Sequence, residues 1–379
     1  MTEIQVSVVL PCLNEEETIE ASIKKGFAGI TKTGLPGEVI VVDNGSTDKS
    51  VELSKNLGAR VINESEKGYG NALRRGIDDA YGKYIIMGDS DDTYDFSELD
   101  KFVKLLKDGG YDLVMGSRFK GKILPGAMSW THRYIGNPIL SGILRVFFGG
   151  NVSDSHCGLR AFTKDAYKKM GLQTTGMEFA SEMVIHALKL KLKIGEIPIT
   201  YYPRRGESKL MGLRDAWRHT RFMLLYSPNY LFLLPGLLLF IPGIVMLITS
   251  LFGPLVLFGR EWGIHVMVFA SMMTILGWQI LSLGLCAKSY ALNIGLEESG
   301  RTKWLLRVFS IERAAAVSLI MILAGIGLIL YILVTWMQHN FGALAEQKTA
   351  LLAVTLITVG LQTIFSAFLT SMLQIKYRK

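Results

Sequence analysis

A cluster of acidic side chains follows a short apolar run in the first third of the chain. The run Tyr84–Met87 is followed by Asp89, Asp91, Asp92 and Asp95, so a buried strand is expected to deliver carboxylates to its C-terminal end. Clustered carboxylates repel one another unless a cation lies between them. Their hard oxygen atoms suit Mg²⁺ or Mn²⁺, which keep coordination positions open for phosphate oxygens. We therefore interpret Asp89-Ser90-Asp91 as the segment that binds a divalent ion together with a nucleotide diphosphate.

An alternative for the same stretch is a turn that caps the helix beginning near Ser97. Capping would account for Asp95 or for Ser97 itself. It leaves Asp89 and Asp91 unexplained, so the metal interpretation is favoured.

Short apolar strands alternate with helical segments over the first 115 residues. Pro11 is expected to end the first strand, and Asn14 with Glu17 to cap the first helix. The alternation on short connections predicts a doubly wound, mainly parallel sheet. Strands are predicted at residues 4–10, 38–42, 60–63, 84–87 and 112–115, and helices at 15–28, from Ser46 or Thr47 to about Leu57, at 69–81 and at 99–106.

Polar groups fall directly after three of these strands, at Asn14-Glu15, at Asp43 and at Asp89-Asp91. Ligands of doubly wound sheets bind outside the carboxyl ends of the strands, so these groups should converge on one rim. There Asp43 is suited to hydrogen-bond a nucleoside base or ribose. The glycines of Lys67–Asn71 suggest a dinucleotide-binding turn only weakly, because the segment follows the third strand and Leu73 replaces the last glycine.

Five motifs occur in a fixed order between about Val6 and Lys209. They read PCLNEEETI, VVDNGSTD, KGYGNALRRGIDDAYGKYIIMGDSDD, GSRF and CGLRAF. In this order and spacing the segment resembles the family 2 glycosyltransferases of the GT-A type, and more narrowly the polyprenyl-phosphate glycosyltransferases such as dolichyl-phosphate mannose synthase. The resemblance implies an α/β nucleotide-diphospho-sugar transferase domain and an inverting, metal-dependent transfer from a UDP- or GDP-sugar. It also implies donor binding by Pro11, Asn14, Glu15, Asp43 and Ser90, and metal binding by Asp89 and Asp91.

The chain departs from the usual family residues at several positions. Asn44 follows Asp43 where a second Asp is common, and Thr93 stands where a metal-binding Gln is usual. Thr93 is therefore not expected to serve as a metal ligand.

Basic side chains collect downstream of the acidic cluster. Arginine stays protonated and binds phosphate oxygens in a bidentate fork, so the group suits two phosphate-bearing substrates. The resemblance implies that the acceptor phosphate is bound by Arg118 and Arg133 with help from Asn137 and Ser208, and that the donor is contacted by Arg204, Arg205 and Lys209. The basic group consists of Arg118, Arg133, Arg160, Arg204, Arg205 and Lys209.

No catalytic base is required for such an acceptor. The second pKa of a phosphate monoester is about 6, so the acceptor is largely ionised around neutral pH. Asp154 is therefore not assigned as a base, and Asp154→Asn is expected to retain turnover.

Long apolar segments dominate the chain from Leu231 onward. Each exceeds the roughly 20 residues that cross a bilayer as a helix. We predict a catalytic domain at residues 1–209, an amphipathic surface helix at 210–228, or alternatively a helix packed on the sheet, and a transmembrane domain at 229–379. The predicted spans are about 231–258, 264–287, 314–336 and 349–373.

The distribution of charge indicates the partner and the orientation. The formal net charge is +8, and the excess basic residues flank the apolar segments, which favours anionic lipid over nucleic acid. Basic residues concentrate between the second and third spans and in the C-terminal tail, so both termini and the catalytic domain are expected in the cytoplasm. The membrane would be the cell membrane of a prokaryote or the endoplasmic reticulum of a eukaryote. The three cysteines are widely spaced and fit a reducing compartment.

Together these features predict an integral membrane enzyme that makes a polyprenyl-phosphate monosaccharide from undecaprenyl or dolichyl phosphate. One alternative is a processive polysaccharide synthase, although the Gln-x-x-Arg-Trp motif expected of such an enzyme does not occur. The other is a non-catalytic membrane protein that binds nucleotide sugar or lipid, which metal-dependent donor turnover would exclude. The sugar is left open, and an oligomer is compatible with the sequence.

Overall fold

The computed structural model describes residues 3–205, 212–253, 255–257, 259–293 and 300–375. The chain divides into two compact units, Met1–Met223 and Leu224–Lys379. The side chains of residues 212–215 and 255–257 are not part of the description.

A seven-stranded sheet forms the centre of the first unit, in the order β3-β2-β1-β4-β6-β5-β7. β1 runs parallel to β2 and β4, and β2 to β3, whereas β6 runs antiparallel to β4 and β5. β7 closes the edge parallel to β5. The sheet is mainly parallel, as the alternation of strands and helices predicts. The strands are β1 Val6–Cys12, β2 Gly37–Asp43, β3 Arg60–Asn63, β4 Tyr84–Met87, β5 Leu113–Ile123, β6 Arg160–Thr163 and β7 Ile194–Tyr201.

Eight helices belong to the described part of this unit. α1 packs against one face of the sheet, where a Cβ on Gly26 would lie 3.7 Å from Val8 Cγ1. α3 packs on the opposite face, because successive strand residues point to opposite sides and a Cβ on Gly76 would lie 2.5 Å from Val9 Cγ1. The helices are α1 Ile19–Thr33, α2 Ser50–Asn56, α3 Tyr69–Asp79, α4 Leu99–Lys107, α5 Asn137–Phe148, α6 Lys164–Met170, α7 Phe179–Lys189 and α8 Gly212–Leu225.

Pro11 does not end the first strand, contrary to the prediction. β1 continues to Cys12, with Pro11 opposite Val42 of β2. On its other side β1 pairs with β4 only from Val6 to Val9. Proline is tolerated where a strand has no neighbour that needs its missing N–H, and β4 has already ended at this point.

The predicted caps of α1 and α2 are also wrong. α1 begins at Ile19, and Asn14 adopts a left-handed backbone conformation with φ of 52°. Its Oδ1 accepts a hydrogen bond from the N–H of Thr47 in the loop after β2. α2 begins only at Ser50. The side chains predicted to cap helices therefore join two loops instead.

α8 lies in the segment predicted to be amphipathic. Trp217 on this helix is exposed, whereas His219 and Met223 are buried. The Nδ1 atom of His219 is 2.9 Å from Ser181 Oγ of α7. One side of α8 thus packs on α7 of the first unit, while the aromatic side chain of Trp217 is exposed.

The second unit contains four long apolar helices, α9 Leu234–Phe252, α10 Ile264–Asn293, α12 Ile311–Gln338 and α13 Gln347–Met372, with the short helix α11 Gly300–Val308 between α10 and α12. Each long helix has the length and composition to cross a membrane. For α9 this length includes the π-helical turn Asn229–Leu233 that precedes it. α10 packs on both α9 and α13, and Ser271 Oγ lies 2.7 Å from Thr355 Oγ1 across the second contact. α9 ends at Phe252, before the predicted end at residue 258, and Gly253 after it has an extended backbone with φ of 168° and ψ of 177°. A small hairpin, β8 Leu255–Leu257 and β9 Arg260–Trp262, leads to α10.

Candidate active site

The carboxyl ends of β1, β2 and β4 form one rim of the sheet. Cys12 of β1 lies opposite Asp43 of β2, and Val9 lies opposite Met87 of β4. The loop after β4 is fixed to the first strand, because Ser90 Oγ donates a 2.7 Å hydrogen bond to the carbonyl of Pro11. Strand order reverses at β1, which is the position where doubly wound sheets bind their ligands.

The residues predicted to bind the donor also make hydrogen bonds that hold the loops of the rim. Asp43 is buried, and its carboxylate accepts hydrogen bonds from the N–H groups of Gly45 at 3.3 Å and Ser46 at 3.0 Å. The N–H of Glu15 donates to Ser50 Oγ at 2.9 Å. The ends of β1 and β2 thus carry the residues predicted to bind the donor, and the loops that follow these strands are joined by hydrogen bonds.

Asp89 and Asp91 lie at the centre of this rim. Asp89 Oδ1 accepts a 2.8 Å hydrogen bond from the hydroxyl of Tyr69. Burial and the neighbouring Asp91 carboxylate raise the pKa of Asp89 to about 6. Asp91 Oδ1 accepts from both the N–H and the hydroxyl of Thr93. Thr93 therefore fixes the orientation of Asp91, a role that the sequence did not reveal.

The two carboxylates fit a divalent ion. Burial and the neighbouring Asp91 carboxylate both disfavour the charged form of Asp89, and both groups present hard oxygen atoms. Within the described ranges no cluster of three or more Asp, Glu, His or Cys residues could hold a metal. The residues present thus match the habit of Mg²⁺, which takes one or two carboxylates and completes its shell with water and phosphate oxygens.

Arg204 supplies the positive charge beside these carboxylates. Its Nη2 lies 3.1 Å from Glu15 Oε1, and its Nη1 lies 3.4 Å from Asp91 Oδ2. Arg205 is exposed. Of the two neighbouring arginines, Arg204 is the one in contact with the acidic rim. Ser208 and Lys209, predicted to contact the acceptor and the donor, lie outside the described residues.

Arg118, which the resemblance assigns to the acceptor phosphate, is buried and paired with Asp154. Its Nε and Nη2 each donate a 2.7 Å hydrogen bond to one carboxylate oxygen of Asp154. The two guanidinium N–H groups of Arg118 that could form a bidentate contact with a phosphate therefore bind a protein carboxylate. Asp154 is the counter-ion of this arginine, and the spacing of the two residues along the chain gave no sign of the pairing.

The other predicted cations, Arg133 and Arg160, have different surroundings from Arg204. Arg133 lies in a π-helical turn before α5, with its guanidinium 5.3 Å from the ring centre of Tyr134, and Asn137 is the first residue of α5. No described hydrogen bond or ion pair joins Arg133 to Asp89 or Asp91. Arg160 is fully buried and donates to the backbone carbonyls of Ser155, Cys157 and Ala180. It is a structural residue rather than a phosphate ligand.

Two family models match the chain. Glycosyl transferase family 2 matches residues 7–171, and the glycosyltransferase family 2 C-terminal transmembrane region matches residues 285–374. The second match covers most of the membrane unit from the end of α10 onward, so this is a membrane protein.

Curated relatives extend the match to nearly the whole chain. The low-salt glycan biosynthesis hexosyltransferase Agl6 of Haloferax volcanii is 39% identical over 364 residues, which cover 96% of this chain and 88% of Agl6. The dolichyl-phosphate hexose transferase of the same organism is 32% identical over 207 residues, which cover 54% of this chain and 86% of that protein.

Among solved structures, glucosyl-3-phosphoglycerate synthase from Mycobacterium tuberculosis, in complex with Mn²⁺, UDP and glucosyl-3-phosphoglycerate, is similar with a TM-score of 0.46 at 25% identity. The similarity covers 59% of this chain and 78% of that chain. The rim of acidic residues, the mainly parallel sheet and the family matches lead to one assignment: the chain belongs to glycosyltransferase family 2, as an enzyme with a GT-A catalytic domain and a C-terminal transmembrane region.

Proposed function

We propose that the protein transfers a hexose from a UDP- or GDP-sugar to a polyprenyl phosphate, with inversion at the anomeric carbon. The product would be a polyprenyl-phosphate monosaccharide on the cytoplasmic leaflet. The observation that carries this proposal is the pair Asp89 and Asp91 at the strand-order reversal of a GT-A sheet, in a chain that continues into four membrane-spanning helices.

Asp89 and Asp91 would hold the divalent ion, with Pro11, Asn14, Asp43 and Ser90 around the nucleoside. A bound Mg²⁺ or Mn²⁺ supplies Lewis-acid stabilisation of the departing nucleotide diphosphate. Arg204 is suited to the same negative charge, because its guanidinium already lies beside two carboxylates and can exchange them for pyrophosphate oxygens.

The acceptor needs positioning and charge neutralisation rather than deprotonation. A phosphate monoester is largely ionised around neutral pH, and Asp154 is bound to Arg118 in any case. Arg133 and Asn137, four residues apart on one helical segment, would bind the acceptor phosphate and bring it in line with the anomeric carbon. The acceptor class is supported by the name of the relative that is a dolichyl-phosphate hexose transferase.

A transfer assay tests this function. Purified protein in detergent would be incubated with undecaprenyl or dolichyl phosphate and a panel of UDP- and GDP-sugars, with and without EDTA. We expect one chloroform-soluble glycolipid that forms only with a divalent ion. Asp91→Ala should abolish its formation, since it removes one of the two carboxylates that would hold the ion.

The matched control is Asp95→Ala. Asp95 lies in the same acidic segment but accepts a hydrogen bond from the N–H of Ser97 at the start of a helical turn, so this variant should retain transfer. Near-normal, EDTA-sensitive transfer by Asp91→Ala would refute the metal assignment. A polymeric product, or no donor consumption with any divalent ion, would refute the proposed reaction.

A further inference from the structure

We propose that Tyr69 is a positioning residue that fixes Asp89 in the orientation required to bind the divalent ion. The inference rests on the proposed metal-dependent function and adds a residue to it. It also gives a role to the Lys67–Asn71 segment, whose glycines resemble a dinucleotide-binding turn only weakly.

The carboxylate of Asp89 is confined on both sides. The Tyr69 hydroxyl, protonated around neutral pH, donates to Oδ1 at 2.8 Å. The other oxygen, Oδ2, lies so close to Gly158 that a Cβ on this glycine would be 2.7 Å away. The phenol thus occupies one oxygen and the close approach of Gly158 restricts rotation at the other, so the orientation of the carboxylate is constrained.

Tyr69 reaches this position because the glycines on either side of it allow a close approach to another loop. A Cβ on Gly68 would lie 2.3 Å from the carbonyl oxygen of Thr175, and a Cβ on Gly70 would lie 2.4 Å from that of Thr174. The N–H groups of Gly70 and Asn71 both donate to the Thr175 carbonyl, at 2.9 and 3.2 Å. Gly68 has a φ of 146°, which a residue with a side chain rarely adopts. The start of α3 is therefore fixed to loop 173–176.

A buried carboxylate holds that loop in turn. Glu182 of α7 is fully buried and accepts hydrogen bonds from the N–H groups of Gln173 and Thr174 and from the Thr174 hydroxyl. A continuous set of contacts thus leads from α7 through loop 173–176 and the start of α3 to the phenol at Asp89.

Asn44 fixes the same turn from the opposite side. Its Oδ1 accepts a 2.7 Å hydrogen bond from the N–H of Gly68, and its Nδ2 donates to the carbonyls of Glu64 and Glu66. An aspartate could not make the two donated bonds. The Asn at this position, unusual for the family, therefore serves the turn that carries Tyr69.

Residues that hydrogen-bond a metal-binding carboxylate usually change metal affinity or activity by about 10- to 100-fold when mutated. For Tyr69→Phe we expect about tenfold weaker Mn²⁺ binding, measured by electron paramagnetic resonance of free Mn²⁺ in the presence of UDP or GDP. The KM for Mn²⁺ in the transfer assay should rise by a similar factor, while kcat at saturating Mn²⁺ stays within about threefold of wild type. The unfolding temperature should change little, because the ring stays in place.

Tyr167→Phe is the matched control. Tyr167 is also buried and its hydroxyl is hydrogen-bonded to a carboxylate, that of Asp78, away from the rim. This variant should bind Mn²⁺ as the wild type does. Gly70→Ala, which keeps the phenol but forces α3 away from loop 173–176, should weaken Mn²⁺ binding in the same way as Tyr69→Phe.

The outcomes separate this inference from the proposed function. Unchanged Mn²⁺ affinity in Tyr69→Phe, or a fall in kcat without a change in the KM for Mn²⁺, would overturn the role of Tyr69 alone. A wild-type protein that neither binds Mn²⁺ with the nucleotide nor transfers sugar would instead contradict the proposed function.

Discussion

Two arginines of the catalytic unit are buried, and they are neutralised in different ways. Arg118 is paired with the Asp154 carboxylate, whereas Arg160 donates to three backbone carbonyls. A buried charge is tolerated only when it is paired or fully hydrogen-bonded. Both arginines therefore support the loop from Asp154 to Gly158, and Gly158 in turn borders Asp89.

This pairing predicts the effect of removing Asp154. Asp154→Ala leaves the Arg118 guanidinium buried without a counter-charge, and breaking a buried pair in this way costs about 3–5 kcal/mol. We expect a marked fall in the unfolding temperature in detergent. Asp154→Asn keeps an acceptor oxygen for Arg118, so it should lose less stability and retain transfer, since no base is needed.

The control for this prediction is an exposed ion pair. Glu98 Oε1 lies 2.9 Å from Lys101 Nζ, with both side chains about half exposed, and Glu98→Ala should change stability by no more than about 0.5 kcal/mol. Equal stability of Asp154→Ala and Glu98→Ala would show that the buried pair is not a major support of the fold.

At the scale of elements, close approach between helix and sheet determines how α3 is placed. A Cβ on Gly76 would lie 2.5 Å from Val9 Cγ1 and 2.6 Å from Val42 Cγ2. Both valines are branched and enclosed in the sheet, so neither can move easily. The same helix begins with Tyr69, so its distance from the sheet also determines where the phenol lies.

Gly76→Ala should therefore destabilise the protein. The added methyl group overpacks the contact between α3 and the sheet, which typically costs about 1–3 kcal/mol, and thermal unfolding in detergent would measure the loss. Gly142 of α5 has no neighbouring atom within 4 Å of an added Cβ. Gly142→Ala should thus be neutral or stabilising by up to about 1 kcal/mol. A Gly76→Ala protein as stable as Gly142→Ala would argue against this tight packing.

The elements also show what the sequence can and cannot reveal. β3 and β4 have the predicted bounds, because polar and glycine residues delimit two short apolar runs. Pro11 and Asn14 were misread because their environment is set by β2 and its loop, some 30 residues away in the chain. β6 and β7 were not predicted, since their place depends on pairing with β4 and β5 rather than on local pattern.

The residues of the candidate site show the same difference between what local sequence indicates and what depends on contacts in the fold. Asp89 and Asp91 could be proposed as metal ligands from the sequence, because a metal site would constrain residue type and spacing. Tyr69 and Thr93, which orient them, are ordinary residues whose role comes only from a hydrogen bond made in the fold. The ion pair between Arg118 and Asp154 likewise joins residues 36 positions apart in the chain, so local sequence does not reveal it.

At the scale of the whole molecule, the distribution of basic residues predicts its orientation in the membrane. The connection from α10 to α12 carries Arg301, Lys303 and Arg307, whereas only Arg260 lies between α9 and α10, and Lys348 is at the start of α13. The positive-inside rule assigns the richer connection to the cytoplasm. The catalytic unit is then expected on the side where nucleotide sugars are made.

Cysteine labelling in intact cells checks this orientation. A membrane-impermeant maleimide should label Arg260→Cys and Gly342→Cys, and should label Lys303→Cys only after permeabilisation. The native thiols should contribute little background, because all three are buried. Burial raises the pKa of Cys12 to about 11 and that of Cys157 to about 12, which leaves almost no reactive thiolate near neutral pH. Labelling of Lys303→Cys in intact cells would reverse the proposed orientation.

The position of Arg204 has a consequence for the order in which ligands bind. Its guanidinium bridges Glu15 and Asp91, so an ion that binds Asp91 must compete with this side chain. A pyrophosphate offers Arg204 a new partner and removes that competition. We therefore expect the ion and the nucleotide sugar to bind synergistically, each tightening the other by the same factor, as thermodynamic linkage requires. Such an enzyme would keep Arg204 on its acidic rim at rest and would be loaded by the two ligands together.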